Sequence, residues 1–187
     1  MVDVGRQKQI RVDWKLFSLK IINADRKIPE DFRILHEIGL KALRVAAAVR
    51  KDFGNDGVSK IYTAMGARYH HDQEDIDNPE TLAEMMVACD FPVNLAAAAD
   101  DQAWDKVIEA DMKQAIAKAG THVGVPLIVL DGGEGLGFFG PVMSPAPTGA
   151  DAVRFWDAII AAGSVSGFFE LKRTRDVEPI FGDRPNY

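Results

Sequence analysis

One thiol and four imidazoles are the side chains of this chain best suited to covalent, redox or metal chemistry. The thiol, Cys89, follows Leu82, Met85 and Met86 at helical spacing, on the apolar stripe of an amphipathic helix. A thiol among apolar side chains lacks the electropositive surroundings that generate a thiolate, so Cys89 is read as core. His70 and His71 follow Tyr69 at the end of a helical pattern. Adjacent residues do not share a helix face, which makes the pair a poor metal motif. A histidine there also interacts favourably with the helix C-terminus. His36 and His122 carry no partner pattern. Gly133-Glu134-Gly135-Leu136-Gly137 has the glycine content of a phosphate loop. The residues that follow, Phe138-Phe139-Gly140-Pro141, are not helical, so the stretch is read as a glycine-rich hairpin. No Ser–His–Asp order or carboxylate pair stands out. No catalytic residue and no metal site are therefore assigned.

Composition narrows the partners. The 187 residues are 47% hydrophobic and 27% charged, which fits a globular chain with one core, or a core plus a lobe. The net charge is −6, so an acidic surface gives no electrostatic reason to expect nucleic acid or an anionic membrane. No apolar run approaches the roughly 18 residues that span a bilayer. The opening MVDVGRQKQIRVDW has no apolar signal region. A single cysteine forbids an intrachain disulfide, and a reducing, cytoplasmic location is expected.

The elements that must position any site follow from periodicity. Ile10, Val12, Trp14 and Leu16 alternate with Arg11, Asp13 and Lys15, which predicts a half-buried strand. Asn23-Ala24-Asp25-Arg26-Lys27 breaks it. Residues 30–119 read as helical: a first helix stopped by Gly54-Asn55-Asp56-Gly57, a second over 59–69, a third opened by Pro79, a fourth over 93–99 and a fifth over 101–118 closed by Gly120. Pro126-Leu127-Ile128-Val129-Leu130, then Asp131-Gly132-Gly133, then Gly137-Phe138-Phe139-Gly140 predict a hairpin. Thr148 is placed as the cap of a last helix carrying Val153, Phe155, Trp156, Ile159 and Ile160. Lys172-Arg173-Thr174-Arg175 is a short basic run, read as a solvated face. A lone strand is not stable in water, so the first is expected to pair with the late hairpin. That divides the chain into 1–28 with 121–187, one α/β unit, and 29–120, a helical insertion.

This layout, with Gly124-Val125-Pro126-Leu127-Ile128-Val129, resembles the second half of a thioredoxin fold, and the helical insertion resembles its DsbA-like branch. Four segments resemble the actinobacterial mycothiol-dependent nitroreductases. They are Trp14-Lys15-Leu16-Phe17-Ser18-Leu19 ending at Asn23; Tyr62-Thr63-Ala64-Met65-Gly66-Ala67-Arg68 leading to His70; Gly137-Phe138-Phe139-Gly140-Pro141-Val142; and Phe168-Phe169-Glu170-Leu171-Lys172-Arg173-Thr174-Arg175.

The resemblance implies an α/β, thioredoxin-like fold with a large helical insertion. It implies a cis peptide bond at Val125–Pro126, with Val125 presenting its N–H and C=O to a bound thiol or extended peptide. It places Asn23 and His70 at the substrate cleft. It also implies mycothiol as co-substrate, no bound cofactor, and a small thiol, disulfide or electrophile as partner, and it leaves room for a homodimer. In such enzymes a Cys-Pro-Trp-Cys thiolate at a helix N-terminus attacks, and mycothiol resolves the mixed disulfide. No Cys-x-x-Cys occurs here. The expectation is a chain lacking a first strand and active-site helix of roughly 30–40 residues, judged from ordinary element lengths. Such a chain would be inactive and would leave strand edges uncovered. The competing expectations are a cysteine-less paralogue that binds a small thiol or a partner protein, and a relative of the glutathione transferases and isomerases.

Overall fold

A computed structural model describes all residues 1–187. Helix α1, Val2–Lys8, opens the chain, an element that the sequence pattern does not predict. Seven residues with an internal glycine make a weak helix alone. Tertiary contacts hold it: Val4 is buried with Ala152 and Trp156, and Ile10, Ile128, Leu130 and Ile160 pack around them. Asp3 adds a second tie. Its Oδ2 accepts the Gly149 N–H at 2.7 Å, at the start of helix α6, Gly149–Gly163. Thr148, expected to cap that helix, occupies the N-cap position without a side-chain hydrogen bond. The carboxylate of α1 does that work from 146 residues away.

The strand expected over 10–16 does not form. The segment is extended, with even-numbered residues turned inward and odd-numbered ones exposed, as the alternation requires. Its main chain bonds to side chains instead of a neighbouring strand. Asn55 Oδ1 accepts the Trp14 N–H at 2.7 Å, and Asn55 Nδ2 donates to the Val12 carbonyl at 2.9 Å. Asp111 Oδ2 accepts the Leu16 N–H at 2.8 Å. A carboxamide offers the donor and acceptor of a peptide group, so Asn55 substitutes for one residue of a partner strand.

The sheet has two antiparallel strands, β1, Leu127–Val129, and β2, Gly137–Phe139, with Ile128 opposite Phe138. The Gly140 N–H bonds to the Pro126 carbonyl and the Leu130 N–H to the Leu136 carbonyl, so even-numbered residues turn their main chain toward β2. Leu127 and Val129 face the other way, and their N–H and C=O groups have no partner within the chain. Segment 10–16, expected to pair with the hairpin, does not join the sheet. One face of the hairpin packs on α1 and α6. The other meets helix α5, Asp105–Ala119, where Gly137 lies against Lys118.

The larger core belongs to the helical block. Helix α3, Glu30–His70, changes direction at Gly54, whose φ of 66° and ψ of −155° suit glycine. The stop predicted at 54–57 is thus a kink, and the helix resumes at once. Helix α4, Pro79–Ala88, starts as expected: Asn78 Oδ1 accepts from the Glu80 and Thr81 N–H groups. Ile61, Met85, Met86 and Ile108 are fully buried between these helices and α5. The stretch predicted as a fourth helix is a 3-10 segment, Val93–Asp100. Arg44, buried in this block, donates to both oxygens of Asp105 at 2.7 and 2.8 Å and to the Ala99 carbonyl at 3.1 Å. No helix is long and apolar enough to cross a membrane.

Candidate functional site

Ser18 begins the site. Its Oγ accepts the Ile21 N–H at 3.3 Å and starts a single helical turn, α2, Leu19–Ile22. Asn23 ends that turn. The Arg26 N–H then bonds to the Asn23 carbonyl at 2.9 Å, so the main chain folds Arg26 back over Asn23. The guanidinium donates to Asn23 Oδ1 at 3.3 Å and to the Thr121 carbonyl at 3.0 Å. Arg26 therefore joins the end of α2 to the loop that follows α5, 95 residues further on. Sequence reasoning treats 23–27 only as a break, and nothing local to Arg26 signals its distant partner.

That loop leaves α5 at Gly120, at φ 82°, and reaches a cis peptide bond at Val125–Pro126, as the resemblance implies. Val125 is 40% exposed, and neither its N–H nor its C=O is bonded within the chain. Further cis bonds, at Gly140–Pro141 and Ser144–Pro145, shape the exit from β2. Arg26 thus ties Asn23 to Thr121, at the start of the loop that leads to Val125–Pro126.

His70 lies at the C-terminal end of α3, under the chain's own tail. Phe181 stacks on its ring with centroids 4.3 Å apart and 22° between planes. Ser144 Oγ accepts the Ile180 N–H at 2.6 Å, and Arg184 grips Asp72 through two nitrogens. The Tyr187 hydroxyl accepts from Arg68 Nε at 3.4 Å. Partial burial, helped by the neighbouring charge of His71, pushes the His70 pKa down. A lowered folded-state pKa means that the folded chain binds fewer protons than the unfolded one. The stability that neutral His70 contributes is complete above about pH 6.5 and is lost as pH falls through that value toward the lower folded pKa. Phe181→Ala should therefore raise the His70 pKa toward the ordinary histidine value, read by NMR titration of its ring protons. An unchanged titration would show that Phe181 does not shield the ring.

Cys89 is 1% exposed, beside Met85 and Met86 in the main core. Burial pushes its pKa up, against the opposing pull of Lys60 and Arg68. No group of three or more His, Cys, Asp and Glu side chains could hold a metal ion.

The arrangement can hold a ligand by main-chain and amide groups, and it contains no exposed thiol. The profile of the mycothiol-dependent nitroreductase Rv2466c-like family matches residues 1–173. The chain belongs to this family. Among its relatives is the uncharacterized protein Rv2286c of Mycobacterium tuberculosis, 30% identical over 186 residues, which cover 95% of this chain and 76% of the relative. In this member of the family the loop after α5, the turn at Asn23 and the Arg26 bridge form one unit. The tail over His70 lies largely beyond the matched residues.

Proposed function

We propose that this chain binds mycothiol, or a small disulfide or electrophile linked to it, at the Asn23 and Val125–Pro126 surface of a thioredoxin-like, DsbA-like unit. That unit comprises 1–28 and 121–187, with 29–120 as its helical insertion. The observation that carries this reading is the exposed Val125 with both main-chain groups unbonded, in a chain of the mycothiol-dependent family. A main-chain N–H and C=O left free at one exposed residue can pair with the amide groups of a thiol conjugate, as a strand edge pairs with a peptide.

Reduction by thiol exchange needs an accessible thiolate, because that is the attacking species. Cys89 is buried with a raised pKa and cannot provide one. The same burial favours a second reading, a family member that binds the thiol without redox chemistry.

Three measurements test both. Titration of the purified chain with mycothiol, followed by amide NMR, should shift Val125 and Asn23; signals unmoved at millimolar mycothiol would remove the binding reading. Native Cys89 should resist an aromatic disulfide reagent and release one equivalent only on unfolding. The chain should show no mycothiol-disulfide reduction. Turnover abolished by Cys89→Ser would instead make Cys89 the nucleophile.

A further inference from the structure

We propose that Arg26 is the positioning residue of this site. By bonding to Asn23 Oδ1 and the Thr121 carbonyl, it turns the Asn23 carboxamide so that its two N–H groups face an electron-rich acceptor on the ligand. The orientation follows from hydrogen-bond chemistry alone. A guanidinium only donates, so the carboxamide atom that it meets must be the oxygen. The nitrogen then points the other way, and Asn23 Nδ2 has no partner within the chain. Asn23 is half-buried at the end of α2, so the amide is accessible yet held. The main chain beneath it is held as well, because the Arg26 N–H bonds to the Asn23 main-chain carbonyl.

Specificity follows from what the surface lacks. The Asn23 amide nitrogen donates only, and the oxygen that could accept is occupied by Arg26. The Asn23 amide can pair with a thiolate sulfur or a nitro oxygen, and it cannot pair with an ammonium, which only donates. The inference rests on the binding reading above and deepens it by assigning the ligand group that Asn23 meets.

The test uses the whole chain, with the Asn23 side-chain amide as the NMR reporter. Mycothiol, its S-methyl derivative and nitrobenzene are the probes. Arg26→Met should move the Asn23 Nδ2 resonances without ligand and weaken mycothiol by about tenfold or more, the scale of one hydrogen bond to a charged group. Arg26→Lys, which still donates to Oδ1, should restore most of both. Asn23→Asp should keep the contact with Arg26 but replace the free donor with an acceptor, so binding should be lost while the melting temperature is kept or raised. S-methylation should weaken binding to wild type more than to Arg26→Met. A response to mycothiol alone assigns the acceptor as sulfur, and a response to nitrobenzene alone as a nitro oxygen. Unmoved Nδ2 resonances in Arg26→Met, or undiminished binding in Asn23→Asp, would overturn the proposal. If wild type binds none of the probes, the mycothiol reading falls, and the ligand-free Nδ2 shifts in the Met and Lys variants still decide whether Arg26 sets the amide.

Discussion

Replacing Asp111 with alanine should destabilise the chain by about 3 kcal/mol, the lower end of what breaking a buried ion pair costs. Asp111 is 7% exposed on α5. Its Oδ2 accepts both the Leu16 N–H at 2.8 Å and an Arg50 nitrogen at 2.5 Å. Alanine leaves a buried main-chain donor and a largely buried guanidinium without a partner. The guanidinium retains some access to water, which keeps the figure from rising further. A drop of roughly 6–12 °C in melting temperature is expected for a chain of this size. Asp111→Asn should lose less, because the amide oxygen can still accept from Leu16. The damage should also reach the site, since Leu16 leads through Ser18 and α2 to Asn23. Weaker amide-exchange protection at Leu16 and Ile21 should accompany the lower melting temperature. Equal stabilities of Asp111→Ala and wild type would mean that segment 10–17 is held by its apolar side chains alone.

Segment 10–16 shows where local pattern stops being informative. Its alternation correctly says which side chains face inward. It cannot say what meets the main chain, and Asn55 and Asp111 lie 41 and 95 residues away from the groups that they bond. The same holds for Asp3 on the Gly149 N–H, where Thr148 carried the local cap signal. Features fixed within a few residues were legible: Asn78 with Pro79 at the start of α4, Gly120 at the end of α5, and Asp131-Gly132-Gly133 between the strands. Gly54 was legible as an interruption but not as a kink. The helix resumes because Gly57 lets the turn close on Val49 and Phe53, where a Cβ would stand 2.6 Å from the Phe53 Cβ. In the candidate site, Asn23, Val125 and Pro126 came from family resemblance. Arg26, which ties Asn23 to Thr121 at the start of the loop that leads to Pro126, has no local signal in the sequence. The resemblance points to His70 as well, but no local pattern shows that Phe181 stacks on it.

Gly137→Val should cost more than 2 kcal/mol and loosen the site from behind. Gly137 begins β2 where the strand crosses the last turn of α5. A Cβ there would lie 2.7 Å from the Lys118 Cβ, 3.0 Å from its carbonyl carbon and 3.2 Å from its oxygen. Two of those atoms are helix main chain, so no side-chain rotation relieves the clash. Either the hairpin or the end of α5 must move. Overpacking of this kind typically costs about 1–3 kcal/mol, and valine adds two methyl groups to the clash that alanine makes. Valine's preference for strands does not offset it, because that preference expresses fit to neighbouring side chains, and here the neighbour is a backbone. The displaced turn carries Gly120 and Thr121, and Thr121 accepts the Arg26 bond. Gly137→Ala should therefore show a smaller loss of stability with the same shift of the Thr121 and Val125 amides, and Gly137→Val a larger one. Gly182→Ala is the control, since nothing lies within 4 Å of a Cβ at that position, and its melting temperature should match wild type. A Gly137→Val chain as stable as the control, with Thr121 and Val125 unmoved, would show that β2 does not rest on Lys118 and that the loop carrying Pro126 is positioned independently of α5.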